Sequence, residues 1–504
     1  MTEPTRALER FATRPLLLVA ACVAALQLLP LALGYYGYFI DEFYYYACSD
    51  RLAWGYVDHP PFSIFLLWGV RSVLGESLLA ARFVAAMIGA TTIFIAGRMA
   101  WRMGAGRYGQ LLAATATACA PVLIAMSGFY SMNAIEVLTW SLCSLLLIEI
   151  LSSDEPRLWW LFGLVAGIGF MNKHTMVLFL AGLTVGVLLT PQRRVLRERW
   201  LWAGVAIAVL IALPNILWQI QHDWASLEFY RGAGSKNLAT SPIQATVNQV
   251  LSLNPGSLPI LGAGVWALLR DRRLRPLGAM FVVLFLMTVF SGLSRQDRIA
   301  GLSPLVFAAG AAYWDRSKSR PLRVLVLAMP LVIALTLSPV FLPILPPAQL
   351  ARYSATLGVV PELEAHGTPL ALPQWFADRI YWDEYVHAIE DAFAGLPETE
   401  KSAAVIFTRS YGAAGPLELL GRGLPPVYSV HNSYHGWGPP GPFDVALVVQ
   451  ISESELSQHF ESVIQVAEFQ CTYCRQWRNP TPVYAVRRPR RPIAEVWEDL
   501  RYFK

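Results

Sequence analysis

Charge is scarce in this sequence: of 504 residues only 15% are Asp, Glu, Lys or Arg, while 55% are hydrophobic. An average soluble domain carries about a quarter charged residues, so an ordinary water-soluble fold is excluded and a bilayer becomes the expected solvent. Cysteine is scarce too, with six in all, which rules out a scaffold built on disulfides. Cys22, Cys119 and Cys143 lie in apolar runs and Cys48 in a loop; only Cys471 and Cys474 stand together, as Cys-x-x-Cys. That pair suits a disulfide in an oxidising compartment, and a zinc site would need a second ligand pair that the sequence does not supply. Internal repeats and low-complexity linkers are absent. A small-x-small cleavage site is also missing after the first apolar run, where Gly34-Tyr35-Tyr36-Gly37 follows, so that run is read as a retained helix and not as a signal peptide.

What is present is a series of apolar runs of membrane-spanning length: Pro15 to Leu33, Leu78 to Ala96, Tyr108 to Ser127, Ala134 to Leu151, Leu201 to Ile220, Leu277 to Leu293 and Leu322 to Leu342. Shorter or interrupted candidates lie at Leu158 to Met171, Met176 to Thr190, Pro255 to Leu269 and Ile299 to Trp314. A span needs about 20 apolar residues, so the pattern predicts a mainly α, polytopic membrane bundle of about 11 helices. Arg6, Arg10 and Arg14 precede the first run, and alternate loops are basic: Arg98, Arg102 and Arg107; Arg193, Arg194, Arg197 and Arg199; Arg270, Arg272, Arg273 and Arg275; Arg316, Lys318 and Arg320. The positive-inside rule places these loops and the N-terminus in the cytoplasm. The net charge of +5 is thereby explained by topology, which argues against nucleic acid as a partner. After Leu342, Pro343, Pro346 and Pro347 end the last run, and the remainder has ordinary polar composition with β-like runs at Ala403 to Thr408 and Val445 to Ile451. Two domains are expected: residues 1–342 in the membrane and residues 343–504 as an α/β domain outside it.

Ionisable groups at the membrane interface are the places to look for chemistry, because desolvating them is costly. The first outer loop, Gly34 to Ser77, sets Asp41 and Glu42 among Tyr35, Tyr36, Tyr38, Phe39, Phe43, Tyr44, Tyr45 and Tyr46, then continues Asp58-His59-Pro60-Pro61. Carboxylates embedded in aromatic surface gain proton affinity, which suits a general base. Further outer segments carry polar groups at helix ends: Asn133 and Glu136; Asn172-Lys173-His174-Thr175; a loop from Gln221 to Asn254 with His222, Asp223, Trp224, Glu228, Tyr230, Arg231 and Lys236; and Ser294-Arg295-Gln296-Asp297-Arg298. A lysine or arginine there can hold a phosphate, the arginine through its planar fork. In the last third, the glycines of Tyr411-Gly412-Ala413-Ala414-Gly415 and His431-Asn432-Ser433-Tyr434-His435-Gly436-Trp437 suggest turns, and the aromatics suit structural packing, with a sugar-stacking surface as the alternative.

The Asp41-Glu42 pair followed by Asp58-His59-Pro60-Pro61 resembles the first periplasmic loop of protein mannosyltransferases and lipid A aminoarabinose transferases, the GT-C glycosyltransferases grouped as family 39. The resemblance implies a GT-C-like catalytic bundle in a bacterial inner membrane, acting outside the cytoplasm. It implies Asp41 as catalytic aspartate with Glu42 beside it, Asp58 as second acidic residue and His59 as the phosphate-facing basic position. Tyr44 stands where some members carry arginine. Asn133 and Glu136, Lys173, and Arg295 with Arg298 occupy segments matched to substrate binding. The implied reaction is inverting transfer of a sugar from a polyprenyl-phosphate donor to a hydroxyl of lipid A, a wall glycan or a protein. It requires no cofactor; a divalent cation between Asp58 and Glu136 is compatible with it, and the metal ligands are unknown. The alternative is a transporter or flippase of a lipid-linked substrate, which predicts inverted repeats and ionisable residues near mid-bilayer.

Overall fold

The computed structural model describes residues 10–153, 155–234, 240–292, 295, 297–359, 370–475 and 478–504; Arg6, Lys236, Ser294 and Gln296 lie outside the described residues. The chain divides into two compact units, each drawn from several stretches: one from 1–33, 79–217 and 237–344, the other from 34–78, 218–236 and 345–504.

The first unit is helical. Five helices are long and apolar enough to cross a membrane: Thr13–Leu33, Leu78–Arg102, Met132–Ser152, Arg199–Gln221 and Arg320–Phe341. Two bent pairs raise the number to seven among the described residues, so the expected count of about eleven is not reached on length and apolarity. The reasons are local. The run Tyr108 to Ser127 is broken into Arg107–Ala118 and Pro121–Ser127 with a 67° bend. Ala120 is extended there because Pro121, the first residue of the second piece, disfavours helical backbone before it. Met176–Leu188 turns through 114° into Pro191–Arg197, again at an extended residue before proline. Other expected spans fold as helices of 12 to 16 residues, such as Leu258–Arg270, Arg275–Phe290 and Ser303–Trp314, which reach only about 18–24 Å at 1.5 Å per residue.

Small residues let these helices touch. A side chain on Gly310 would meet the Ile260 carbonyl and one on Gly264 the Val306 carbonyl, so Leu258–Arg270 and Ser303–Trp314 lie backbone against backbone. Gly163 and Gly204 do the same for Trp159–Asn172 and Arg199–Gln221. Close approach of this kind replaces the hydrophobic driving force that is missing between helices in lipid. The core of the unit gathers around Trp140, with Cys143, Phe179, Leu305 and Phe307 almost wholly buried.

The second unit holds a five-stranded sheet: β1 Ala404–Thr408, β2 Val427–Ser429, β3 Val445–Val449, β4 Phe460–Phe469 and β5 Thr481–Pro489, in the order β2-β1-β3-β5-β4. β1 runs parallel to β2 and β3, and β5 antiparallel to β3 and β4. Every residue of β1 and β3 is buried, which is why both read as unbroken apolar runs with no alternation. Cys471 and Cys474 form a disulfide in the segment between β4 and β5. Next to it, Arg475 pairs with the buried Asp378 at 3.2 Å, and the buried Arg478 guanidinium lies 3.6 Å from the Trp382 ring centre.

This unit also contains Ile40–Ser49 and Tyr411–Leu420, two helices packed on each other. Gly412 faces Ile40 and Gly415 faces Phe43 so closely that a methyl at either position would displace the partner. The glycines expected to make turns are therefore helical, and their missing side chains bring the acidic start of Ile40–Ser49 against Tyr411.

Candidate functional site

Two clusters of polar side chains are built, one inside each unit. In the sheet-bearing unit, Asp41 and Glu42 open the helix Ile40–Ser49. They are put to different uses. Glu42 is fully buried, and its Oε2 accepts the backbone N–H of Phe39 at 2.7 Å, which ties down the helix start. Asp41 keeps partial exposure, and its Oδ1 accepts the Tyr411 hydroxyl at 3.0 Å.

One turn on, Tyr44 anchors Asp58. The phenol has a single proton and the carboxylate can only accept, so Tyr44 Oη donates to Asp58 Oδ1 at 2.8 Å. The hydroxyl of Ser433, 2.7 Å from the phenol oxygen, must then donate to it, joined by the Ser433 N–H at 3.2 Å. Val57 N–H completes the chain by donating to Ser433 Oγ at 3.2 Å. Burial first, and then the neighbouring Asp58 charge, push the Tyr44 phenol well above its usual range, so it remains a donor at any physiological pH.

Around this chain stand stacked rings. Tyr411 lies on Tyr44 with centroids 4.5 Å apart and on His431 at 4.8 Å. His431 Nε2 donates to the Lys504 carbonyl at 2.8 Å, leaving Nδ1 to accept from the Tyr411 N–H at 3.4 Å. The ring stack thus fixes the direction from which the Tyr411 hydroxyl reaches Asp41. His59 is placed differently from a phosphate-facing residue: it is 1% exposed, with the rings of Tyr45 and Tyr56 at 5.1 and 5.0 Å. Its Nδ1 donates to the Pro60 carbonyl at 3.0 Å, and its Nε2 lies 4.0 Å from Asp58 Oδ1.

The second cluster belongs to the helical unit and forms at helix ends. Lys173 caps the helix Trp159–Asn172, and its ammonium donates to Asn133 Oδ1 at 2.8 Å and Glu136 Oε2 at 2.7 Å. Thr175 hydrogen-bonds the other oxygen of Glu136. Asn172 Nδ2 donates to the Met132 carbonyl at 2.8 Å, tying the two helix ends together. Asn133 and Glu136 share a face at i and i+3 near the start of Met132–Ser153, so one lysine reaches both. Arg295 forms a forked pair with Asp297, at 3.1 and 3.2 Å. Burial alone would raise the Asp297 carboxyl; Arg295 and Lys173 together outweigh it and hold it down at about 2. Arg298 makes no side-chain hydrogen bond or ion pair among the described residues and is half-buried.

The structure therefore brings together Asp41, Tyr44, Asp58 and His59 in one unit and Asn133, Glu136 and Lys173 in the other, where Arg295 acts through Asp297. Tyr411, Ser433, Thr175 and Asp297 join them without having been singled out. Tyr411 and Ser433 stood inside motifs read as packing, and Asp297 inside a motif read for its arginines. Among the described residues no three His, Cys, Asp or Glu side chains gather as a metal site. The oxygens of Glu136 are occupied by Lys173 and Thr175, and one oxygen of Asp58 by Tyr44.

Residues 58–218 match the family model described as dolichyl-phosphate-mannose-protein mannosyltransferase. By its apolar helices the chain is a multi-pass membrane protein, and over this stretch of about a third of its length it is similar to that mannosyltransferase family. Among curated proteins, the chain is similar to the lipid A galacturonosyltransferase RgtD of Rhizobium johnstonii, 25% identical over 187 residues. That match covers 37% of this chain and 39% of the relative. Among solved structures, ArnT from Cupriavidus metallidurans, in the apo state and bound to undecaprenyl phosphate, matches with a TM-score of 0.65 at 14% identity. The alignment covers 94% of this chain and 98% of ArnT. The resemblance carried by the loop motifs is thus found again in sequence over residues 58–218 and in fold over nearly the whole chain.

Proposed function

We propose that this chain is an inverting glycosyltransferase of a bacterial inner membrane, moving a sugar from a polyprenyl-phosphate donor to a hydroxyl of an extracytoplasmic lipid, glycan or protein acceptor. The observation that carries the reading is Asp41: a partly exposed carboxylate at a helix start, oriented by a phenol that is itself locked in a ring stack. An alcohol is a poor nucleophile at neutral pH, and a positioned carboxylate can take its proton as the new glycosidic bond forms. The departing lipid phosphate gains charge at that moment, and fixed cations stabilise it. Lys173 suits that task, since two of its three protons are fixed on Asn133 and Glu136 and one is left; Arg295 and Arg298 add to it. Direct displacement inverts the anomeric centre. In this reading Glu42 and His59 act by position, the first holding the helix start and the second standing behind Asp58. The reaction as drawn needs no cofactor.

ArnT binds undecaprenyl phosphate, which favours a lipid-linked donor, and RgtD is a lipid A galacturonosyltransferase, which favours a lipid acceptor. A transporter is disfavoured, because the charged clusters sit at helix ends and in a loop. The test is transfer of a labelled sugar from a polyprenyl-phosphate donor by purified protein. Asp41→Asn should lower the rate by about 10²–10⁴-fold, the share a general base supplies, with an unchanged melting profile. Transfer by the variant at the wild-type rate removes Asp41 from the mechanism.

A further inference from the structure

At the end of the helical unit remote from Lys173 there is a groove of about 550 Å³, lined by Ile150, Leu151, Trp159, Gln192, Arg194, Arg197, Glu198 and Arg273 among others. Glu136 and Ile150 are on one helix, Met132–Ser153, and 14 residues at 1.5 Å each put them about 21 Å apart along its axis. The groove is therefore far from the cluster assigned to transfer, on the arginine-rich side of the membrane helices.

Its lining is built for an anion. Three arginines face one carboxylate, Glu198, and neither Arg194 nor Arg197 forms an ion pair among the described residues. Arg273 donates to the Ser152 carbonyl at 3.2 Å, which fixes its head at the groove wall. Two buried side chains of the lining hold polar atoms with no protein partner: the Trp159 indole N–H, in a residue 2% exposed, and Gln192 Oε1, in a residue 8% exposed. Trp159 and Gln192 are therefore fixed parts of the wall, and the charge that faces the groove is that of the arginines. Pro191 starts the tight turn Pro191–Arg197 that carries Gln192, Arg194 and Arg197, and Gln192 Nε2 holds that turn to the Arg272 carbonyl at 2.5 Å. Ile150, Leu151 and Val195 supply an apolar wall beside the charges.

We infer that this groove binds the phosphodiester headgroup of an anionic membrane phospholipid, with the arginines on the phosphate oxygens and the acyl chains along Ile150 and Leu151. A basic pocket at the end of membrane helices, with an apolar wall, is the form such sites take. The site is independent of the transfer reaction.

Delipidated full-length protein is offered phosphatidylglycerol, phosphatidylcholine or inorganic phosphate, and bound lipid is read by native mass spectrometry alongside thermal stability. Phosphatidylglycerol should be retained at least tenfold over phosphatidylcholine, and inorganic phosphate should give a smaller thermal shift. Arg194→Gln with Arg197→Gln should weaken retention about twentyfold, near fivefold for each arginine. Arg193→Gln with Arg199→Gln removes the same charge outside the groove and should change it less than about twofold. Equal losses from the two arginine pairs, or no preference for the anionic lipid, would overturn the site; a phosphate shift equal to that of the lipid would leave a simple anion site in its place.

Discussion

The two polar clusters hold their carboxylates by different chemistry. In the sheet-bearing unit Asp41 and Asp58 receive phenolic hydroxyls, from Tyr411 and Tyr44, and those phenols are placed by ring stacking. In the helical unit Glu136 and Asp297 receive cations, Lys173 and Arg295. A neutral donor orients a carboxylate without cancelling its charge, which suits a group that must accept a proton. A cation fixes the carboxylate as an anion and is itself fixed, which suits a surface that must meet a phosphate. The first cluster should therefore be sensitive to ring packing and indifferent to charge screening, and the second the reverse.

The largest expected structural effect tests the second half of that contrast. Lys173→Met leaves Glu136 buried without its cation and should cost about 3–5 kcal/mol of stability, read as a fall in melting temperature; a loss below about 1 kcal/mol would show that Glu136 has another counter-charge. Next comes Tyr44→Phe, which keeps the stack on Tyr411 but strands Asp58 and Ser433. A loss of about 1–3 kcal/mol is expected, insensitive to salt, whereas a strong salt dependence would erase the distinction between the clusters. The smallest effect concerns acid. Asp297 titrates at about 2 in place of its usual 3.8, so its contribution is complete above about pH 4 and disappears as pH falls through 2. That amounts to about 2 kcal/mol. Stability of the wild type relative to Asp297→Asn, followed from pH 5 to pH 2, should converge; a constant difference would assign the Arg295 pair a purely steric role.

The helix-end cluster was readable because helical periodicity and a short turn create it. Lys173 lies 40 residues from Asn133 and 37 from Glu136, at the end of a neighbouring helix, and the 3.6-residue period alone puts Asn133 and Glu136 on one face. Arg295 was read for its charge, but its partner Asp297, two residues on, was passed over because the arginines dominated the segment. The loop cluster was half readable. The acidic pair among aromatics marked Asp41, and nothing local marked Tyr411 or Ser433, which lie 370 and 389 residues from the groups they bond. The glycines of Tyr411-Gly412-Ala413-Ala414-Gly415 suggest turns in the sequence because a glycine packed under Phe43 and one in a turn look alike without the partner helix. Helix length misled in another way: hydropathy registers that a run is apolar, and the prolines at 121 and 191 decide where the run bends.

Composition and pattern determined on their own that the chain lives in a bilayer, where its five longest helices run, and that the runs Ala403 to Thr408 and Val445 to Ile451 contain strands. These follow from local rules: apolar length and strand-length apolar runs. Only the tertiary structure decided which carboxylate is a helix tie and which is presented, that Tyr411 and Ser433 complete the loop cluster, and that Trp159 and Gln192 line a groove with Arg194 and Arg197. Those are pairings between distant segments, fixed by close packing of small residues and by hydrogen bonds whose two ends carry no mark of each other in the sequence.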